Sequence, residues 1–531
     1  MKLRLLWALL LLGTLSFAQN IYERETFHAL SSPQVISDQL PAPKYLQEHV
    51  VDGKLRLSLE EAIIATLMSN SNVRLQELNV EDSKFSLLRA HSTFDPALSV
   101  SFNAQRATFP ANSDLQGAPI PTSLLQASKV DYGQTLETGT NLQVGFTANR
   151  FATNDSNIFL NPSITSGLNF QITQPLLRNR WLFANRAPLV IARRNVRISL
   201  ASFEAQVNDA VLNTVTQYWN VVLARGSVEI AKKSQDAADA SYKRAKRELE
   251  LGALAPLDIY RSESQVATRR VQVIQAEYDL KRTEDALRFT LGASVDPLLR
   301  ALDLDLTEMP VRDEAAFDID ATTALQQAME VRPELEALRQ ALANDDVSIR
   351  LAHNNLLPDL RLAGNYAGNG VAGSPSGGLG DSLNQAFTFG YPTYGFSLSL
   401  NLPIKNRSAQ AELGTAMVSR RRDLYSERRL KEQITLDVTN AVHQLEEAKL
   451  SLAASRQALD LSRKNLAAEQ RKIELGTEQV FFVLDAQKEV AQAETIVLQA
   501  EVNYQLAVTL VQHATGKLLE PYRMQVKELT R

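Results

Sequence analysis

Glu250-Leu251-Gly252 and Glu474-Leu475-Gly476 stand 224 positions apart, and the chain that follows each reads alike. Carried forward to Gly292 and Gly516 without a gap, the two stretches also match at Val266/Val490, Ala267/Ala491 and Gln275-Ala276-Glu277/Gln499-Ala500-Glu501. In each, a long helical pattern stops at a glycine, turns within a few residues and starts again. Glycine suits the left-handed conformation that closes a helix end. Pro256 and Thr477 are helix-opening residue types. The spacing predicts two helical hairpins in a duplicated chain, with tips at 252 and 476.

Working outward, the duplication covers whole halves. At an offset of 262 the chain matches at Ala62/Ala324, Ala90-His91/Ala352-His353, Pro96/Pro358 and Leu98/Leu360. The first repeat spans 57–292 and the second 319–516, joined by 293–318 and followed by a short tail, 517–531. A fixed internal repeat of this kind, rather than several unrelated domains, accounts for the length.

Upstream of the first repeat, Lys2 and Arg4 precede an apolar run from Leu5 to Leu12 and the small-x-small triplet Ser16-Phe17-Ala18. That order reads as a secretory signal, 1–18, with a membrane anchor as the alternative. Residues 19–56 carry several prolines and little periodicity, an extended arm. No later stretch approaches about twenty apolar residues, so a membrane-spanning form requires a closed β-barrel. The chain has no cysteine, which excludes disulfides, thiolate metal sites and thiol nucleophiles. A net charge of −4 with both signs interspersed makes no case for nucleic acid.

Each repeat opens with helices; Ser58, with Glu61 three residues on, is a capping pair. After Pro96 the period changes from helical to alternating. Leu98, Val100 and Phe102 face one way, Ser99, Ser101 and Asn103 the other, which places strands at about 97–109 and 166–175. The second repeat shows the same at about 359–366 and 394–403. Segments near ten residues, aliphatic on one face and Ser/Asn/Gln on the other, fit an outer-membrane barrel; a half-buried sheet in a soluble domain alternates equally well. Val130–Leu136 and Leu142–Ala148 also alternate, an extra hairpin over 128–150 that is either two more barrel strands or an extracellular feature. The glycine-rich run from Gly364 to Gly380 reads as a loop.

Both halves leave their last strand through a proline, Pro175 and Pro403, and then read as helical for some 65 residues. The hairpins span 187–292 and 409–516. At about 1.5 Å per residue each long helix reaches about 100 Å. Their apolar stripes thin to alanines among many charges, as in a wall one layer thick packed coiled-coil fashion. A plain coiled-coil rod, a soluble periplasmic scaffold, is the rival reading. No metal or phosphate-binding constellation appears, so neither catalysis nor a cofactor is expected; His91 and His353, at equivalent repeat positions, read as structural.

The opening Leu57-Ser58-Leu59-Glu60-Glu61-Ala62, the run Phe94-Asp95-Pro96-Ala97-Leu98, the proline exits and the paired Leu-Gly tips together resemble the TolC-like outer-membrane factor family. The resemblance implies an α+β membrane protein of the outer membrane of a Gram-negative-type bacterium, extending into the periplasm. In that family a duplicated strand pair plus long helical hairpin forms a homotrimer, with a 12-stranded β-barrel continued by an α-helical barrel and a small mixed equatorial region. Four principal strands per chain, taken three times, agree with twelve. The implied role is the passive exit duct of a tripartite efflux pump or type I secretion system. Its partners would be a periplasmic adaptor (membrane fusion) protein, an inner-membrane transporter, proton-driven or ABC, and outer-membrane lipid. By position, the adaptor-docking tips are Leu251, Gly252, Leu475 and Gly476. The family narrows its pore with acidic residues six and nine places past the second tip glycine. Here those places hold Phe482, a departure, and Asp485, a match; Asp258 stands six past the first.

Overall fold

A computed structural model of the chain describes residues 44–110, 117–118, 120–251, 256–310, 319–475 and 480–522. The expected signal segment, most of the arm, residues 311–318 of the linker, the end of the tail, Gly252 and Gly476 therefore lie outside the described residues. In order, the first half runs α1 (Lys44–Glu48), β1 (Val50–Val51), β2 (Lys54–Leu57), α2 (Leu59–Ser69), α3 (Ser71–His91), β3 (Ala97–Thr108), β4 (Thr122–Thr135), β5 (Asn141–Thr153), β6 (Ser163–Pro175), α4 (Trp181–Glu250) and α5 (Pro256–Thr290). The second runs α6 (Pro297–Ala301), β7 (Asp303–Leu306), α7 (Ala321–Val331), α8 (Pro333–Asn355), β8 (Asp359–Gly373), α9 (Leu379–Phe387), β9 (Tyr391–Asn401), α10 (Arg407–Glu474) and α11 (Val480–Ala514).

The chain divides into two compact units. One, containing Asp82–Arg197 and Arg339–Leu424, is built on a six-stranded antiparallel sheet in the order β3-β4-β5-β6-β8-β9. The count of four principal strands is thus corrected to six, because the 128–150 hairpin is longer than its alternation suggested and lies inside the sheet. Its neighbours supply what the local pattern lacks: β4 pairs with β3 from Ala97↔Gly133 to Thr108↔Thr122, and β5 with β6 from Asn141↔Thr173 to Phe151↔Ser163.

The Gly364–Gly380 run is also corrected, since its first ten residues continue β8 and its last two open α9. Gly368 and Gly370 lie beneath α9. A Cβ at Gly370 would stand 1.9 Å from the Ser382 carbonyl oxygen, and one at Gly368 would stand 2.2 Å from that of Ala386. The glycines are there to admit a helix, not to form a loop. Ser382 Oγ donates to the Gly370 carbonyl at 3.0 Å and lies 2.9 Å from Ser166 Oγ, from which it accepts, and this satisfies a buried hydroxyl.

The other unit contains the described residues within 44–81, 198–338 and 425–522. Its small sheet has the order β1-β2-β7, with β2 and β7 parallel from Lys54↔Asp303 to Leu57↔Leu306. The end of the expected arm is therefore a paired strand. Leu55 and Leu57 are fully buried while Lys54 and Arg56 are exposed, an alternation too short to stand out by itself. These leucines join a core with Ile63, Phe203, Val207, Val211, Val215, Leu287 and Leu299. Tyr218 sits fully buried in it; its hydroxyl donates to the Leu57 carbonyl at 3.3 Å and accepts from the Glu308 N–H at 3.2 Å. A second core gathers Ala324, Ala328, Ile434, Val438, Leu445, Tyr504 and Val511. Both α5 and α11 close with the same motif. Gly292 and Gly516 take φ of +73° and +75°, and the following residues donate back to Arg288 and Gln512 at 2.9 and 2.8 Å. Ser58 and Glu61 form the reciprocal cap of α2, the Ser58 N–H donating to Glu61 Oε2 at 2.7 Å. That bond holds the Glu61 carboxyl below its ordinary value.

Candidate functional site

Register alone sorts the large sheet into two chemical faces, because side chains alternate along every strand. One cross-strand row reads Ser101, Lys129, Thr147, Gly167, Asn369 and Tyr391; the next on the same face reads Ser99, Asp131, Gly145, Asn169, Ala367 and Thr393. The Lys129 ammonium and Asp131 carboxylate pair on this polar face at 2.8 Å. The opposite face carries Leu98, Tyr132, Val144, Phe170, Tyr366 and Tyr394 in one row, and Val100, Val130, Phe146, Leu168, Gly368 and Pro392 in the next. At the sheet edges it is bare: Val100 is 72% exposed and Phe396 84%. A contiguous apolar surface of that kind marks contact with something other than water. The amphipathic α9 covers one part of it, Phe387 stacking on Phe146 with ring centres 5.7 Å apart.

The helical hairpins of the other unit are laced by charge. Lys232 on α4 meets Glu277 on α5 at 2.8 Å, and Arg456 on α10 meets Glu501 on α11 at 3.3 Å. Arg463 and Glu494 add a second link to the latter hairpin at 2.7 Å. The Lys232 ammonium, chiefly through its hydrogen bond, holds the Glu277 carboxyl below the usual range. His513 bridges to Asp209 at 2.9 Å, between α11 and α4.

At the hairpin ends, Leu251 follows α4 and its N–H donates to the Arg247 carbonyl at 3.0 Å; its side chain is 83% exposed. Leu475 follows α10 in the same way, donating to Arg471 at 3.1 Å, and is 66% exposed. Two large aliphatic side chains are thus held out into solvent at equivalent turns. Asp258 lies in the first turn of α5, its side chain outside the described residues. Phe482 and Asp485 lie one turn apart on α11, both exposed, beside the buried Val483, Leu484 and Ala486. A spacing of three puts them on one side of the helix. Sequence reading missed the hairpin ion pairs, although the repeated Gln-Ala-Glu triplet already marked Glu277 and Glu501. It also missed α9, whose glycine-rich surroundings hid it. Among the described residues no group of three His, Asp or Glu side chains has the spacing to hold a metal, and no helix is long and apolar enough to cross a membrane.

A two-faced antiparallel sheet with bare aliphatic edges, in a chain of paired long helical hairpins, defines the class of outer-membrane channel proteins. The chain belongs to the outer membrane efflux protein family, whose model matches residues 136–293 and 324–517. It is 24% identical to outer membrane protein TolC of Vibrio cholerae over 405 residues, 73% of this chain and 83% of that protein. To TolC of Escherichia coli it is 23% identical over 68% of this chain and 71% of the other. Among solved structures it resembles the outer-membrane channel OprN, with a TM-score of 0.64 at 16% identity over 86% of this chain and 90% of that one. The CmeC outer membrane channel of Campylobacter jejuni also scores 0.64 at 16% identity, covering 94% of both chains. The fold is thus that of TolC-like channels and the protein's place is the outer membrane.

Proposed function

We propose that three copies of this chain close their sheets into one transmembrane barrel and their helical hairpins into a periplasmic tube, a passive exit duct for an export machine. The observation that carries this reading is the large sheet: one face polar, one aliphatic and bare at its edges, with the outer sides of β3 and β9 unpaired among the described residues. Trimer closure pairs the edges, puts the polar face around water and gives the aliphatic face to lipid. Each chain brings six strands to this sheet, of which β3, β6, β8 and β9 belong to the duplicated plan.

In this duct the tips Leu251-Gly252 and Leu475-Gly476 dock onto a periplasmic adaptor. The periplasmic constriction is a ring of Asp485 side chains flanked by Phe482, with Asp258 close to the tips. A like-charge ring sets ion preference through its field and needs no chemistry. Energy comes from an inner-membrane transporter, proton-driven or ATP-driven, joined through the adaptor; the cargo is small molecules or polypeptides.

Carbonate washing and mild SDS electrophoresis of outer membranes test the duct. An integral barrel stays in the membrane and runs as an SDS-resistant trimer. A protein that washes off as a monomer is a soluble scaffold and ends this reading.

A further inference from the structure

β4 and β5 are the strands that the second repeat lacks, and they stand in the middle of the first repeat's pair. We propose that all six strands of each chain enter the membrane wall, so that the trimer closes a barrel of three times six, eighteen, strands. This rests on the trimeric duct proposed above.

A twelve-stranded wall needs β3 beside β6. Here β3 spends its ladder on β4 over its whole length, and β6 spends its own on β5 and β8. Bringing β3 to β6 would break two complete ladders and expel β4 and β5 from the sheet as a hairpin paired only with itself. β4 has 14 residues and β5 has 13, against the 9–11 or so that cross a bilayer. Their chemistry continues that of their neighbours: Val130 and Phe146 lie between Val100 and Leu168 on the aliphatic face, and Lys129 and Thr147 lie between Ser101 and Gly167 on the polar one. A hairpin standing in water would have no reason to keep that division.

The ends agree. The β4–β5 turn lies at the strand-to-helix exits, where Glu137 pairs with Arg186 and Thr140 with Gln174. The other connections lie at the opposite end, where the Asn154 N–H donates to the Thr122 carbonyl at 3.2 Å. The hairpin therefore runs the full height of the sheet. Because six is even, β3 and β9 run in opposite directions, and a partner's β9 placed beside β3 continues the antiparallel order. Barrel diameter grows roughly linearly with strand number, so the outer opening would be about 1.5 times as wide as with twelve.

The absence of cysteine makes single-cysteine labelling clean. Lys129→Cys and Thr147→Cys report the polar face, Val130→Cys and Val144→Cys the aliphatic one. With a membrane-impermeant maleimide added to cells, the polar pair should react at least about tenfold faster, since the aliphatic pair faces lipid. Fast labelling of all four in an SDS-resistant trimer overturns the eighteen-strand wall and leaves the duct standing. Loss of the wild-type trimer itself overturns both. Counting strands by cryo-electron microscopy of the wild-type protein decides the matter without a variant: eighteen supports the proposal and twelve refutes it.

Discussion

The Lys232 ammonium stands 2.8 Å from the Glu277 carboxylate, and 224 positions further on Arg456 and Glu501 repeat the pair at 3.3 Å. The two sites differ in exposure: Lys232 and Glu277 are 56% and 44% exposed, Arg456 and Glu501 only 29% and 15%. Water screens the first pair, and a fixed guanidinium holds the second with less competition. Double-mutant cycles to alanine should find coupling of about 1 kcal/mol between Arg456 and Glu501. Between Lys232 and Glu277 they should find none above error. Equal coupling at both sites would mean that exposure does not decide the strength.

The hairpin tips yield a sharper outcome. Gly252→Asp or Gly476→Asp should leave SDS-resistant trimers in the outer membrane yet abolish export, because under the proposed docking a charge at these positions disturbs the surface offered to an adaptor. Normal export by both variants would exclude docking there.

Asp485 belongs to the pore or to an ordinary helix surface, and conductance separates the two. Asp485→Ala in planar bilayers should weaken block by multivalent cations and lower cation selectivity, since the proposed ring contributes three charges to one constriction. Unchanged selectivity would remove the ring.

Tyr218 supports the small sheet rather than the duct. Tyr218→Phe keeps the ring packed but leaves the Glu308 N–H without its hydroxyl partner, while the Leu57 carbonyl keeps the Thr307 N–H at 3.2 Å, at a cost of about 1–3 kcal/mol. Burial pushes the phenol from 10.0 up to about 12. The unfolded chain thus loses this proton first, and the stabilisation is complete below pH 10 and falls away as pH rises towards 12. Melts of detergent-purified protein should show the variant less stable at pH 8, with the gap narrowing above pH 10. A constant gap would contradict the buried assignment.

Much of this protein is written in local periodicity. Leu98, Val100 and Phe102 against Ser99, Ser101 and Asn103 define a strand and its two faces without any partner in view. The matched glycines at 292 and 516 mark helix ends because a positive φ strains most other residues there. What stayed hidden depended on distant neighbours. Lys54–Leu57 has only two apolar positions, and its parallel partner at Asp303–Leu306 is 249 residues away. Gly368 and Gly370 read as loop residues because nothing beside them in the chain discloses a helix lying across them.

By itself the sequence determined the duplication, the change of period after each proline and the polar and aliphatic sides of the strands, for these are relations among residues close in the chain or copied at a fixed offset. Only the tertiary structure decided that β4 and β5 stand between β3 and β6, that α9 covers part of the aliphatic face, and that Glu277 and Glu501 each meet a cation across a hairpin. Alternation states which way a side chain points but not which strand lies next to it. That choice is made by ladder bonds and packing between segments whose separation in sequence carries no periodic trace.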